Sequence, residues 1–173
     1  MFEGFDFASF WNNCQYAQKN YVGDALNEAM IRQAEEELGY KLPESYLFLL
    51  KQQNGGIPNK CVFSLPEPRD YDDEVVITGL FGIDRKKPYS LCGEFGNELW
   101  LEEWQYPAIG VAICETITGG HDMVFLDYRE CGNRGEPKVS WVIMLDGEEE
   151  EYEIVPLAEN FEAFVRGLTD EED

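Results

Sequence analysis

The chain has 173 residues and a formal net charge of −22, from 35 Asp and Glu against 13 Lys and Arg. Its 44% hydrophobic and 14% aromatic content is enough for a core, and a chain of this size buries roughly 70% of its unfolded surface, so residues 1–173 read as one folded domain rather than a disordered polymer. A field of this sign repels nucleic acid and anionic membranes and attracts basic proteins, which sets the first two aside as partners.

Taken in order, Phe7, Phe10, Trp11, Cys14 and Tyr21 recur at helical spacing and predict a helix over 6–21, with Asp6 or Ser9 as its cap. A second helix is expected over 24–38, with Asp24 as N-cap and Leu26, Ala29, Met30, Ala34 and Leu38 on one face. Gly39 supplies its stop. Pro43 opens a third helix with Tyr46, Leu47, Leu49 and Leu50 buried; Asn54-Gly55-Gly56 ends it, and Pro58 prevents resumption. The pair reads as an αα-hairpin. Glu28, Glu35, Glu36, Glu37 and Glu44 stand where a DNA-reading helix needs cations.

Residues 65–73 form a polar, proline-marked loop, followed by short strands over 75–78 and 80–83 around Gly79. Residues 84–88 are the one concentrated basic patch, either a solvated loop or an anchor for the chain's own acidic surface. Residues 90–104 fit a strand around Leu99-Trp100-Leu101 or a short helix over 96–104; the helix is preferred. Two nearly continuous apolar runs, 109–114 and 123–126, flank a turn containing Gly119-Gly120. Their continuity suits strands covered on both faces, so they are expected to form the central hairpin. A glycine-rich loop over 128–137 precedes an alternating strand from Val139 to Leu145. Asp146-Gly147 signals a hairpin turn, Glu148 to Glu151 an acidic run, and 152–155 the returning strand. Pro156 is expected to open the last helix, with 169–173 as a frayed acidic tail. The order predicts an α+β fold: a single domain with a mainly antiparallel twisted sheet, N-terminal helices and one C-terminal helix packed on it.

Chemistry is sparse. The only histidine, His121, sits beside Asp122 at the rim of the central hairpin. Catalysis there would need an activated thiol within reach; Cys131, near Arg129 and Arg134, is a better candidate than Cys114 in its apolar strand. The competing reading is that His121 and Asp122 bond the turn backbone. There is no P-loop, G-x-G-x-x-G, G-x-S-x-G, H-E-x-x-H or EF-hand loop. With five cysteines, no C-x-x-C and one histidine, the chain reads as a reduced, cytoplasmic protein without metal or cofactor. No secretion signal opens it, and no apolar span approaches membrane length. A binding module fits better than an enzyme. The candidate partner-binding residues are Glu94, Glu102, Glu103, Asp122, Tyr128, Glu148, Glu149, Glu150 and Glu151, aimed at a cationic protein. Tyr71, Trp100, Trp104, Tyr106 and Tyr128 are available as interface anchors or core.

The block Leu38-Gly39-Tyr40-Lys41-Leu42-Pro43-Glu44-Ser45-Tyr46, followed by Gln53-Asn54-Gly55-Gly56, resembles the N-terminal signature of the SUKH superfamily, the SMI/KNR-like proteins. Further blocks are similar to bacterial members in the same order: Ile77 to Ile83, Glu103-Trp104-Gln105-Tyr106-Pro107 with Ile109-Gly110, and Gly120-His121-Asp122-Met123 through Gly132. The resemblance extends from the first helix to about Leu168. It implies an α+β fold and a non-enzymatic role. Bacterial members are mostly immunity proteins that bind and neutralise a toxin domain, often a nuclease, delivered between competing cells. A yeast relative regulates cell-wall assembly as an interaction hub, so a cytosolic adaptor is the alternative. The run Glu148 to Glu151, where the family often has a compact turn, and Ser140-Trp141 in the late strand depart from the common pattern.

Overall fold

The computed structural model describes residues 1–145 and 151–171. Its elements, in order, are β1 (Trp11–Asn12), α1 (Gln15–Asn20), α2 (Glu28–Leu38), α3 (Glu44–Gln52), β2 (Ile57–Pro58), β3 (Val62–Ser64), β4 (Glu74–Leu80), a π-helical turn (Leu99–Glu103), β5 (Gly110–Thr116), β6 (Asp122–Asp127), β7 (Lys138–Leu145), β8 (Glu151–Ala158), α4 (Phe161–Arg166) and β9 (Leu168–Thr169). Seven strands form one antiparallel sheet in the order β8-β7-β6-β5-β4-β3-β9, and β1 pairs with β2 apart from it. The two apolar runs are β5 and β6, and they lie at its centre.

They tolerate apolar side chains on both faces because both faces are covered. Alternation places Val124 and Leu126 opposite Phe125. On one side lie the helices: the fully buried Tyr46 of α3 donates its hydroxyl to the Phe81 carbonyl and packs edge-on against Phe161 of α4, 4.8 Å between centroids. Tyr128, just past β6, donates to the Lys41 carbonyl at 2.7 Å. On the other side lies the segment before β5. Asn97 accepts from the Ala112 N–H at 2.8 Å and donates to the Leu91 and Ala112 carbonyls, while Tyr106 packs on Phe125 at 5.7 Å and on Tyr152 at 5.8 Å. Val111, Ile113, Val124 and Phe125 are completely buried. The expected α+β architecture is therefore present. Among the described residues no helix is long and apolar enough to cross a membrane.

Several local expectations give way to tertiary packing. The helix expected over 6–21 shrinks to Gln15–Asn20. Ahead of it Phe2, Phe5, Phe7 and Phe10 pack edge-to-face at 5.0 to 5.7 Å, and Phe2 stacks on Phe48 of α3 at 6.0 Å. Ring burial against another element outweighs the weak drive of an isolated helix to form. The cap of α2 is Asn27, whose side chain accepts from Met30 N–H at 2.9 Å; Asp24 instead meets Lys86 at 2.7 Å. Gly39 ends α2 at φ +82°, as expected. The strand expected over 75–78 is β4, which runs on through Gly79 to Leu80 with a bulge between Ile77 and Gly79; the second strand expected over 80–83 does not form, Gly82 making only an isolated bridge to Ser90. Pro156 opens no helix. It lies in β8, an edge strand, where a missing N–H costs no ladder bond, and α4 starts at its Asn160 cap. Thr169 does not fray: it pairs with Val62 in β9 and donates its hydroxyl to that carbonyl at 3.3 Å. The hairpin turn expected at Asp146-Gly147 lies outside the described residues.

Candidate functional site

Antiparallel register gathers distant segments at one end of the sheet, where β4, β6 and β8 begin and β5 and β7 finish. Ile77 lies opposite Thr116, Asp122 opposite Ile143, and Leu145 opposite Glu151. The Met144 N–H donates to the His121 carbonyl at 3.0 Å, tying the two hairpins. The loop over 65–73 closes here through Leu65 N–H to Asp73 carbonyl, 2.9 Å, and reaches across to β8, where Arg69 meets Glu153 at 2.7 Å. The π-helical turn arrives from the covering segment. Its bond from Trp104 N–H to Leu99 carbonyl, five residues back, is 3.1 Å long. A side chain at Gly120 would stand 2.8 Å from Trp100 and 3.1 Å from Trp104, so this glycine lets both indoles lie over the β5–β6 turn. Tyr106 fixes the same turn by donating to the Gly120 carbonyl.

The surface so assembled is acidic and apolar together. Six large apolar side chains are exposed among the described residues, and four belong to this end: Tyr71 (97%), Ile117 (69%), Leu145 (43%) and Trp104 (36%). Glu102, Glu103 and Glu151 are exposed at the same end. Cations collect elsewhere. Arg32, Lys41 and Arg134 line, together with Glu35 and Glu36, a groove of about 760 Å³ between the α2–α3 turn and the loop after β6, at the opposite end. Lys138 opens β7 at that end, and 84–87 continue from the far end of β4.

Of the residues named from sequence, Glu102, Glu103 and Glu151 are exposed at this end, the first two on the covering segment and the third at the start of β8. Glu94 is exposed but stands apart, in the turn beside Phe95, whose ring packs on Tyr89 at 5.2 Å. Asp122 lies at this end but is only 5% exposed; its carboxylate accepts from the Thr116 hydroxyl and its N–H donates to Thr118 at 3.2 Å. Tyr128 lies at the other end, buried, its ring 4.6 Å from Tyr40. Both therefore serve the interior. Glu148, Glu149 and Glu150 lie outside the described residues. Ile117 and Leu145 escaped sequence reading, because only cross-strand register brings the β5–β6 turn and the finish of β7 to the same end of the sheet.

His121 and Cys131 flank opposite ends of β6, which at ~3.3 Å per residue holds them about 20 Å apart. Burial pushes the Cys131 thiol up, and Arg129 is turned onto Asp127 at 2.7 and 3.0 Å. That thiol is not activated, and the imidazole is not within its reach. All five cysteines are free thiols.

Glu115 of β5, half-buried at this end, has its carboxyl pushed up to about 7 by burial, and its charge bears on Tyr21, Tyr89 and Tyr106. An unfolded glutamate ionises near ~4.3, so from that pH up to 7 the folded form holds the extra proton and stability falls as pH rises. The penalty is complete above 7 and absent below 4. Glu115→Gln is expected to raise stability at pH 8 by on the order of 1 kcal/mol, discounted for partial exposure, and to leave it unchanged at pH 4. Urea midpoints at both pH values check this.

A family model described as SMI1 / KNR4 family (SUKH-1) matches residues 25–167. No curated protein and no solved structure matches the chain.

Proposed function

Because the chain belongs to the SMI1 / KNR4 family (SUKH-1), we propose that it is a non-enzymatic, cytoplasmic immunity protein that binds a basic toxin domain of an interbacterial system and neutralises it by occlusion. The observation supporting this most is the hairpin-tip end of the sheet, where, among the described residues, exposed acids and exposed apolar side chains occur with Arg69, paired to Glu153, as the one Lys or Arg, while the other cations lie elsewhere among acids. Such a molecule presents its negative end to a cationic partner at long range, which raises the encounter rate. Buried apolar contacts then slow dissociation. A nuclease is a suitable target, since its substrate-binding surface must itself be basic. Covering that surface needs no bond made or broken by the inhibitor.

This reading expects the frame immediately upstream to encode a large secreted protein ending in a small basic toxin domain, and the test is co-expression with that domain. Rescue of a host otherwise killed by that domain is expected, together with an association rate that falls at least tenfold between 20 and 500 mM salt, figures on the order of electrostatic steering. Failure of rescue overturns the immunity reading. Rescue-independent binding with a salt-insensitive rate would favour the cytosolic adaptor.

A further inference from the structure

We infer that the basic partner docks on the hairpin-tip end of the sheet, over the exposed Tyr71, Trp104, Ile117 and Leu145 and the exposed acids Glu102, Glu103 and Glu151 of that end. This deepens the proposed function and rests on it for the partner's identity, though not for the location. Exposed aromatic and aliphatic side chains scattered singly over a surface mean little; collected at one end of a sheet among exposed acids they have the make-up of an interface.

The arrangement is built into the fold. Trp104 is held by the π-helical turn, lies 5.1 Å from Trp100, and reaches over Gly120. The next residue, Gln105, takes φ +59°, a left-handed conformation that costs a non-glycine residue about 1 kcal/mol or more. The chain sustains that cost where it turns Trp104 over the hairpin. Tyr71 is almost wholly solvated, yet its loop is held by the Leu65–Asp73 bond and the Arg69–Glu153 pair. The backbone that carries Trp104 and Tyr71 is thus tied to the sheet before a partner arrives, which lowers the ordering cost of binding.

Charge selects the occupant. Over 65–76, 99–106, 114–123, 143–145 and 151–153, Arg69 is the only Lys or Arg, and it is engaged by Glu153. A second copy of this chain would bring another −22 charges against the same face, and a nucleic acid or anionic lipid would be repelled likewise. A cationic protein surface with apolar pockets is the complement.

Amide chemical-shift mapping with cytochrome c, a small basic protein, at low salt tests the location without any knowledge of the toxin. Shifts concentrated in 69–76, 102–105, 115–121, 143–145 and 151–153 are expected. Shifts centred on any other face, or spread evenly, would overturn the assignment. The exposed apolar side chains are tested with the upstream basic domain: Tyr71→Ser with Ile117→Ser should weaken binding at least tenfold with an unchanged melting curve, while Arg32→Ala at the far end should not. Because Trp104 also packs internally, Trp104→Ala serves as a second variant, compared at equal folded fraction. Tight binding by all of these variants refutes their part in docking. If the wild-type chain gives no rescue at all, the immunity reading falls, and the cytochrome c map still decides the docking face.

Discussion

Asn54→Ala is expected to cost about 4 kcal/mol, a fall of roughly 10 °C in Tm for a chain of this size. Asn54 is 3% exposed and follows α3 directly. Its amide nitrogen donates to the carbonyls of Asp24 at 2.8 Å and Ile83 at 2.9 Å, while its amide oxygen accepts from the Ile83 N–H at 2.7 Å. Its own carbonyl accepts from Gly23 at 2.9 Å. One side chain thus joins the segment before α2 to the segment after β4. Alanine would leave the Ile83 N–H and carbonyl buried without partners and the Asp24 carbonyl part-buried without one, and each fully buried group costs about 1 to 3 kcal/mol. Asn27→Ala provides the contrast: this asparagine caps α2 at an exposed site, and its loss should cost about 1 kcal/mol. Urea unfolding of the two variants reads the difference. A loss below 1 kcal/mol at Asn54 would mean that water replaces the amide.

Asn54 also shows how far the sequence can be read. Asn54-Gly55-Gly56 was legible as a helix stop, and it is one, but its role as a joint depends on Asp24 and Ile83, whose proximity no local pattern encodes. The same division holds along the chain. β5 and β6 were legible because burial on both faces leaves a continuous apolar run; β7 forms where expected, but Ser140 and Val142 are as buried as Val139 and Trp141, so its two faces do not alternate in burial. The aromatic N-terminus misled because Phe7, Phe10 and Trp11 satisfy a helical spacing that Phe2 and Phe48 then override by packing. Pro156 misled because a proline marks either a helix start or an edge strand, and which one depends on sheet order. At the candidate site, the acids Glu102, Glu103 and Glu151 and the aromatics Tyr71 and Trp104 were visible as residue types. Their convergence was not, since it follows from antiparallel register and from one glycine, Gly120, that admits two indoles. Asp122 had the charge expected of a rim residue, but its neighbour Thr116 draws it inward.

Stability and recognition should separate along the sheet axis, and Gly110→Ala against Gly119→Ala is the comparison that shows it. Gly110 starts β5 at the end away from the hairpin tips and lies opposite Asp127. A side chain there would overlap the Leu126 carbonyl oxygen and stand 2.9 Å from the Tyr128 ring. Neither neighbour can yield cheaply, because Leu126 is fully buried and Tyr128 is held by Lys41 and Tyr40. The two central strands must part, at an expected cost of about 3 kcal/mol. Gly119 has open space around it but takes φ +71°, so alanine there costs about 1 kcal/mol through the backbone alone while reshaping the turn beside Ile117. Urea unfolding should therefore rank Gly110→Ala as much the more damaging. Titration with a basic partner, corrected to the folded fraction, should invert the order, Gly119→Ala weakening binding severalfold and Gly110→Ala leaving it intact. If both variants lost binding in proportion to stability alone, the docking face would not be at the hairpin tips.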